Sequence, residues 1–192
     1  MATISKVKIC NMALLKIGQA RIASLEQSGN KPAATCNLLY DQMVLETLEE
    51  HNWGFARKRE ALAKVADDPT DYWAYSFALP TDMVKARAID RDAGLAEIPY
   101  ELEGDLLFCN EVAPVLIYTA AIDDPLQFSP GFVRLLVVRL AMEACTPLLD
   151  EESSTVDLLK LYDYTLRKVT GFDSSQQTPP ELPKDTYITI RR

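Results

Sequence analysis

From Arg57 to about Ile122 the hydrophobic period of this chain switches from helical to two, and near Ser129 it switches back. A period of two puts alternate side chains on opposite faces of a strand, whereas apolar residues three and four apart share one face of a helix. The helical segments on either side of the switch must therefore pack on one another, with the β segment inserted between them. The predicted fold is α+β: a mainly helical bundle of about four helices, an antiparallel β insertion between helices two and three, and an extended C-terminal arm. Residues 1–56 and 123–172 are expected to form the bundle, 57–122 the β insertion and 173–192 the arm.

The helices can be placed from their stripes and ends. Val7, Cys10, Leu14 and Ile17 predict a first helix over about Ser5 to Ile17, with Gly18 as its stop. Arg21 to Lys31 reads as a connection turning at Ser28-Gly29-Asn30. Pro32 suits a first helical turn, so the second helix runs from there to about Asn52, with Leu38, Met43 or Tyr40, Leu45 and Leu48 as its stripe. At about 21 residues it is roughly 30 Å long. Ser129-Pro130 starts the third helix, which ends near Leu148 or Leu149 and is apolar on most sides, as a central helix is. The fourth is capped near Ser153 or Ser154, carries Leu159, Tyr162, Leu166 and Val169 as its stripe, and stops at Gly171.

In the insertion, Trp73, Tyr75, Phe77 and Leu79 alternate with Ala74, Ser76 and Ala78, a half-buried strand ended by Pro80. Val84, Ala86 and Ala88 predict a second strand, Tyr100 to Asn110 a hairpin turning at Glu103-Gly104-Asp105, and Val115 to Ala121 a further strand. Together they predict a small antiparallel sheet or sandwich of about four to six strands.

Composition removes several function classes. The 192 residues carry a formal net charge of −8, which argues against a DNA-coating role, since phosphate binding requires clustered Lys and Arg. An acidic wall repels DNA and lets it slide past. The four cysteines, Cys10, Cys36, Cys109 and Cys145, are far apart, and His51 is the single histidine, so structural zinc is not expected; the cysteines read as small apolar core residues in a reducing compartment. MATISKVKIC has no signal-peptide pattern and no apolar run approaches bilayer length, so the chain is expected to fold in a cytoplasm and to have no membrane partner.

Catalytic signals are weak. Asp67/Asp68, Asp123/Asp124 and Glu151/Glu152 could supply the two carboxylates of a glycoside hydrolase, but each pair sits in a turn or a helix start, where acids are common. Serine nucleophile motifs, Gly-rich phosphate loops and dinucleotide fingerprints are absent from the sequence. His51, beside Asn52 and Trp53 at a helix end, reads as a capping or packing residue, and the aromatics read as core.

Two surfaces read as contact sites. Glu46, Glu49 and Glu50 crowd the C-terminal end of the second helix, where the helix dipole disfavours them. They are either a solvated face or one half of a subunit contact, with Arg57, Lys58 or Arg59 as basic partners on the next segment or on a neighbouring subunit. Downstream, a proline-rich leash over Asp173 to Pro183 carries a β-prone tip, in which Tyr187, Ile188 and Ile190 precede Arg191 and Arg192. That tip is either a frayed terminus or an arm that adds a strand to an acidic partner.

The order of residues says more than any one motif. It runs Ala13-Leu14-Leu15-x-Ile17-Gly18, Arg21-Ile22-Ala23-Ser24-Leu25, then Cys36-Asn37-Leu38-Leu39-Tyr40-Asp41 and Val44-Leu45. It continues through His51-Asn52-Trp53-Gly54-Phe55-Ala56, Lys58-Arg59, Tyr75-x-Phe77-x-Leu79-Pro80-x-Asp82 and Tyr100-x-Leu102-Glu103-Gly104. Tyr118, Asp124-Pro125, Phe128-x-Pro130-x-Phe132 and the closing helix pair complete it. This series, over roughly Ser5 to Gly171, resembles the tail tubular protein A family of short-tailed bacteriophages, the head-to-tail adaptors.

The resemblance implies a structural virion protein, not an enzyme, with no cofactor. Such adaptors form a ring of identical subunits, typically a dodecamer, between the portal protein and the tail nozzle protein, and double-stranded DNA passes through the ring without specific binding. It implies assembly in the host cytoplasm and a final place in the neck of the virion. The arm of such adaptors often reaches onto the portal or a neighbouring subunit. Two other readings stay open on the residues alone: a tail-associated hydrolase of cell wall or polysaccharide, and a non-viral protein-binding module.

Overall fold

The computed structural model describes residues 3–65, 72–90, 97–149 and 152–176, and within them it is α+β, with four α-helices and six strands. The chain divides into two compact units, one made of Met1–Ala56 with Ala121–Gln176, the other holding Arg57–Ala120.

The first unit is helical. Helix α1 (Lys6–Lys16) is capped by the Ser5 hydroxyl, which accepts from the Lys8 N–H at 3.2 Å. Gly18, at φ +70°, turns the chain out of it. The connection is pinned by Asn11, whose amide both donates to the Ile22 carbonyl (2.9 Å) and accepts from the Ile22 N–H (2.8 Å). Helix α2 (Lys31–Glu50) begins at Asn30, whose side chain accepts from the Ala33 N–H at 3.0 Å, with Pro32 in the first turn. Its buried face is Ala33, Cys36, Tyr40, Met43, Val44, Thr47 and Leu48. Leu38 and Leu45, expected on that face, are 81% and 40% exposed. The seam follows three- and four-residue steps from Ala33, and Leu38 lies about 200° around the helix from both Cys36 and Tyr40.

Helix α3 (Pro130–Leu149) starts at Ser129, whose hydroxyl accepts from the Phe132 N–H at 3.2 Å. It is buried nearly all round, and it packs against α1, against α2 and against helix α4 (Glu152–Ser175). At the α3–α4 crossing the backbones come close. A Cβ on Gly131 would lie 2.6 Å from Val169 Cγ1. The buried residues of α4 are Leu158, Tyr162, Thr165 and Val169, so the expected stripe is displaced at two positions, and Leu159 is 49% exposed. Nor does Gly171 stop the helix, which continues to Ser175. The reason lies in its last turn: the Asp173 carboxylate accepts from the Gly54 N–H at 3.2 Å and lies 3.2 Å from His51 Nε2, tying that turn to the chain after α2. Asp173 to Ser175 are thus helix, not the start of an extended arm.

The second unit holds two three-stranded antiparallel sheets. In one, β6 (Val115–Ala120) lies between β1 (Arg57–Ala61) and β3 (Met83–Ile89), with register shifts along β3. In the other, β5 (Leu106–Cys109) lies between β2 (Tyr75–Ala78) and β4 (Tyr100–Glu103). The chain passes from one sheet to the other directly after β1: Leu62 N–H bonds the Pro114 carbonyl, and by Val65 the N–H bonds Ser76 across to β2. The β4–β5 hairpin closes on Gly104-Asp105, with Gly104 at φ +55°. The aromatic strand is shorter than its alternation suggests and starts at Tyr75, because the Ala74 N–H is taken by the Asn110 side chain at 2.9 Å. All four cysteines are buried free thiols.

Candidate interaction surfaces

The acidic end of α2 meets a base within the helical unit itself. Arg139 of α3 donates through Nη2 to Glu46 (2.6 Å) and through Nη1 to Glu50 (2.7 Å), and the same Nη1 reaches the Tyr162 hydroxyl of α4 at 2.9 Å. Tyr162 in turn donates to Glu50. The guanidinium carbon lies 5.5 Å from the Tyr162 ring centroid, and the Arg139 side chain is 14% exposed. Burial pulls the guanidinium pKa down, but Tyr162, Glu50 and Glu46 outweigh it and the net shift is upward. Burial and the bond to Glu50 raise the Tyr162 phenol well above its ordinary range. One arginine thus joins three helices by charge-assisted hydrogen bonds. Glu46 and Glu50 are two of the acids expected to face a subunit partner, while Glu49 stands exposed beside them.

Arg57 and Arg59, the expected basic counterparts, lie on β1 in the other unit. Arg59 pairs with Asp90 at 3.2 Å. Lys58 pairs with Asp82, which also accepts from the Tyr118 hydroxyl at 3.0 Å; the same hydroxyl reaches Glu60 at 2.9 Å. The Lys58 hydrogen bond holds the Asp82 carboxyl below its usual 3.8, against a push from burial and with help from Tyr118. Tyr118 itself is fully buried, and desolvation with its two acidic partners raises its phenol well above the ordinary range.

A third cluster closes the helical unit. The Trp53 ring is fully buried, with Nε1 donating to the Thr47 carbonyl at 2.8 Å. It stands edge-on to His51 (5.0 Å between centroids) and to Phe132 (5.2 Å). Phe132 also meets Phe55 at 5.1 Å and Phe128 at 4.8 Å. His51 is therefore a packing residue at the end of α2, as its neighbours in the sequence suggest.

Two surface features remain on the helical unit. The outer face of α2 presents Leu38 and Leu45, seven residues apart, with Asp41 and Glu49 on the same side. Where the start of α3 meets the end of α4, a groove of about 370 Å³ is lined by Pro130, Gly131 and Val169. Phe172, 67% exposed, forms one wall, and Arg134 and Lys168 stand on the rim. Asp173 also lines it, with its carboxylate committed to His51 and Gly54.

For the weaker catalytic candidates, Asp124 caps the short turn Pro125–Gln127, accepting from the Leu126 N–H at 3.0 Å. Asp67, Asp68 and Glu151 lie outside the described residues, as do Tyr187, Ile188, Ile190, Arg191 and Arg192 of the arm. Among the described residues no group of three or more His, Cys, Asp or Glu could hold a metal ion, and no helix is long and apolar enough to cross a membrane. Sequence reasoning missed the role of Arg139, whose one signal was that it is one of two bases, with Arg134, in a largely apolar helix. The chain matches no protein-family model, and no curated protein matches it.

Proposed function

We propose that this protein is a structural virion component, a head-to-tail adaptor of the tail tubular protein A kind. On this reading identical subunits close into a ring between the portal and the tail nozzle, and the ring continues the channel through which double-stranded DNA leaves the capsid. One observation carries the reading: the residues of the ordered series are far apart in the chain, yet they hold one another. His51-Asn52-Trp53-Gly54-Phe55 and Phe128-x-Pro130-x-Phe132 build a single aromatic cluster. Lys58, Asp82 and Tyr118 build a single polar network. Members of the series that are far apart in the chain are packing partners here, which is what the resemblance leads one to expect of a common structural skeleton.

The electrostatics and the chemistry support the same reading. A net charge of −8 suits a wall that DNA must pass without sticking. Of the carboxylates named as hydrolase candidates, Asp124 is engaged by a backbone amide, while Asp67, Asp68 and Glu151 lie outside the described residues. No observation favours the hydrolase or the non-viral binding module.

The test is direct. The full-length protein is mixed with the portal protein encoded in the same genome and imaged by electron microscopy. A ring of density added to one end of the portal is the expected result. Protein that stays monomeric and binds neither portal nor tail nozzle would sink the proposal.

A further inference from the structure

We propose that Cys10 and Cys36 form a site of reversible oxidation, at which a hydroperoxide joins the two thiols into a disulfide that staples α1 to α2. The pairing follows from the register of the two helices. The Lys6 ammonium lies 2.9 Å from an Asp41 carboxylate oxygen and 5.1 Å from the Tyr40 ring centroid, which sets the start of α1 beside the middle of α2. One turn further along α1 is Cys10, and one turn back along α2 is Cys36. The next turn of each helix brings Ala13 and Ala33. All four residues are buried, none more than 2% exposed. Small residues along a seam let two backbones come close, and a disulfide requires its Cα atoms within about 7 Å. The sulfurs are in reach of each other, since the two thiols share a hydrogen bond.

That bond acts unequally on its ends. It raises the Cys10 thiol, with burial adding to the rise, and it lowers the Cys36 thiol against the push of burial. Cys36 is therefore the sulfur that ionises and attacks, and Cys10 the one that keeps its proton. The Cys36 thiolate takes one oxygen of the peroxide, the O–O bond breaks, and the other oxygen leaves as an alcohol or water with the proton Cys36 released. The Cys10 sulfur then attacks the Cys36 sulfenic acid, the S–O bond breaks, and the hydroxyl leaves as water with the Cys10 proton. Two thiols have lost two electrons and two protons, and one peroxide has taken them up. Tyr40, one turn from Cys36, has a buried hydroxyl without a hydrogen-bond partner, which an entering peroxide oxygen would supply. The other thiols are placed elsewhere: Cys109 lies in the sheet unit and donates to the Glu111 carbonyl at 3.8 Å, and Cys145 lies on α3. A reducing cytoplasm keeps the pair as a dithiol, and an oxidising medium is where the link forms. None of this chemistry depends on the adaptor reading.

The experiment treats the full, folded chain with hydrogen peroxide near neutral pH, alkylates the remaining thiols and digests without reduction. Trypsin parts the two cysteines, because Lys16 and Arg21 lie between them. The expected product is the Cys10 peptide joined to the Cys36 peptide, two hydrogens lighter than the pair, from a chain that keeps single-chain mass without reductant, with Cys109 and Cys145 recovered alkylated. The thermal midpoint is expected to rise by at least about 5 °C, because the link restricts the unfolded chain, and to return on treatment with dithiothreitol. In Cys10→Ala the Cys36 sulfenic acid loses its resolving thiol and is captured by dimedone; in Cys36→Ala, Cys10 stays reduced. Recovery of Cys10 and Cys36 as separate alkylated or overoxidised peptides overturns the site, as do links to Cys109 or Cys145 formed in its place, or a Cys10–Cys36 link that leaves the midpoint unmoved. Dimedone on Cys10 in Cys36→Ala overturns the order of attack. Portal binding tests the adaptor reading alone, and its failure would leave the disulfide to stand or fall on these peptides.

Discussion

At the scale of single residues, the chemistry of this chain is spent on holding elements together. Replacing Arg139 by Met keeps much of the stem against the Tyr162 ring but removes three donated hydrogen bonds. Glu46 and Glu50 are 35% and 29% exposed, so water partly compensates for the lost partner, and the expected cost is about 2–3 kcal/mol, read as a lower urea midpoint with the helical circular dichroism intact. Asp82 gives a pH signature instead. Its folded pKa is held below 3.8, so its pairing with Lys58 and Tyr118 contributes in full above that value and is lost as the pH falls through the lower folded one. Asp82→Asn is expected to destabilise the sheet unit by about 0.5–1 kcal/mol near neutral pH, since the pair is partly exposed and screened. The gap to the unmodified chain should close as the pH is taken down through the acid range; a gap that does not change with pH would rule out the ionic assignment. The acids of α2 could be read from the sequence as a cluster wanting a base, because their position at a helix C-terminus is unfavourable on its own. That the base within the unit is Arg139 could not be read, since 89 residues separate it from Glu50 and no local pattern links the two.

At the scale of elements, periodicity located all four helices and the hairpin, because each carries its own cap, stripe or turn glycine. What it missed has physical causes. Strand β1 reads Arg-Lys-Arg-Glu-Ala and shows no alternation of apolar residues, because it is a sheet-edge strand with four of its five residues exposed, and charge there blocks further pairing. On α2 and α4, Leu38 and Leu159 were drawn into the stripes for being leucine, while Ala33, Cys36 and Thr165 are what the neighbours bury. Small residues mark where helices come close, and hydrophobicity alone does not find them. The α3–α4 crossing is the sharpest case. Gly131→Ala puts a methyl 2.6 Å from Val169 Cγ1, and the overpacking is expected to cost about 1–3 kcal/mol. Val169→Ala removes the clash, so the double variant should be at least about 1 kcal/mol more stable than the sum of the two single losses, a coupling that a thermodynamic cycle of urea denaturations measures. Strict additivity would mean that the glycine is there for some reason other than the crossing.

At the scale of the whole molecule, the two units and the arm divide the work. Within the described residues the helical unit is complete by Gln176: its last turn is anchored through Asp173, its aromatic cluster is closed by Phe132, and its three-helix clamp is centred on Arg139. Pro183 to Arg192 lie outside the described residues, and the sequence marks them as strand-prone and basic at their end, in a chain of net charge −8. A basic segment is matched to an acidic surface, its own molecule's or a partner's, and a strand-prone segment gains most where an open sheet edge offers backbone partners. Deleting residues 183–192 is therefore expected to leave the thermal midpoint and the helical circular dichroism of the full chain unchanged while weakening its incorporation into portal complexes at least tenfold. Co-sedimentation with portal over a titration separates the two effects, because a folding defect would move the midpoint and an assembly defect would move only the bound fraction. A truncated protein that assembles as the full chain does would show that the tip has no part in assembly, and the contacts that close the ring would then have to come from the helical and sheet units alone.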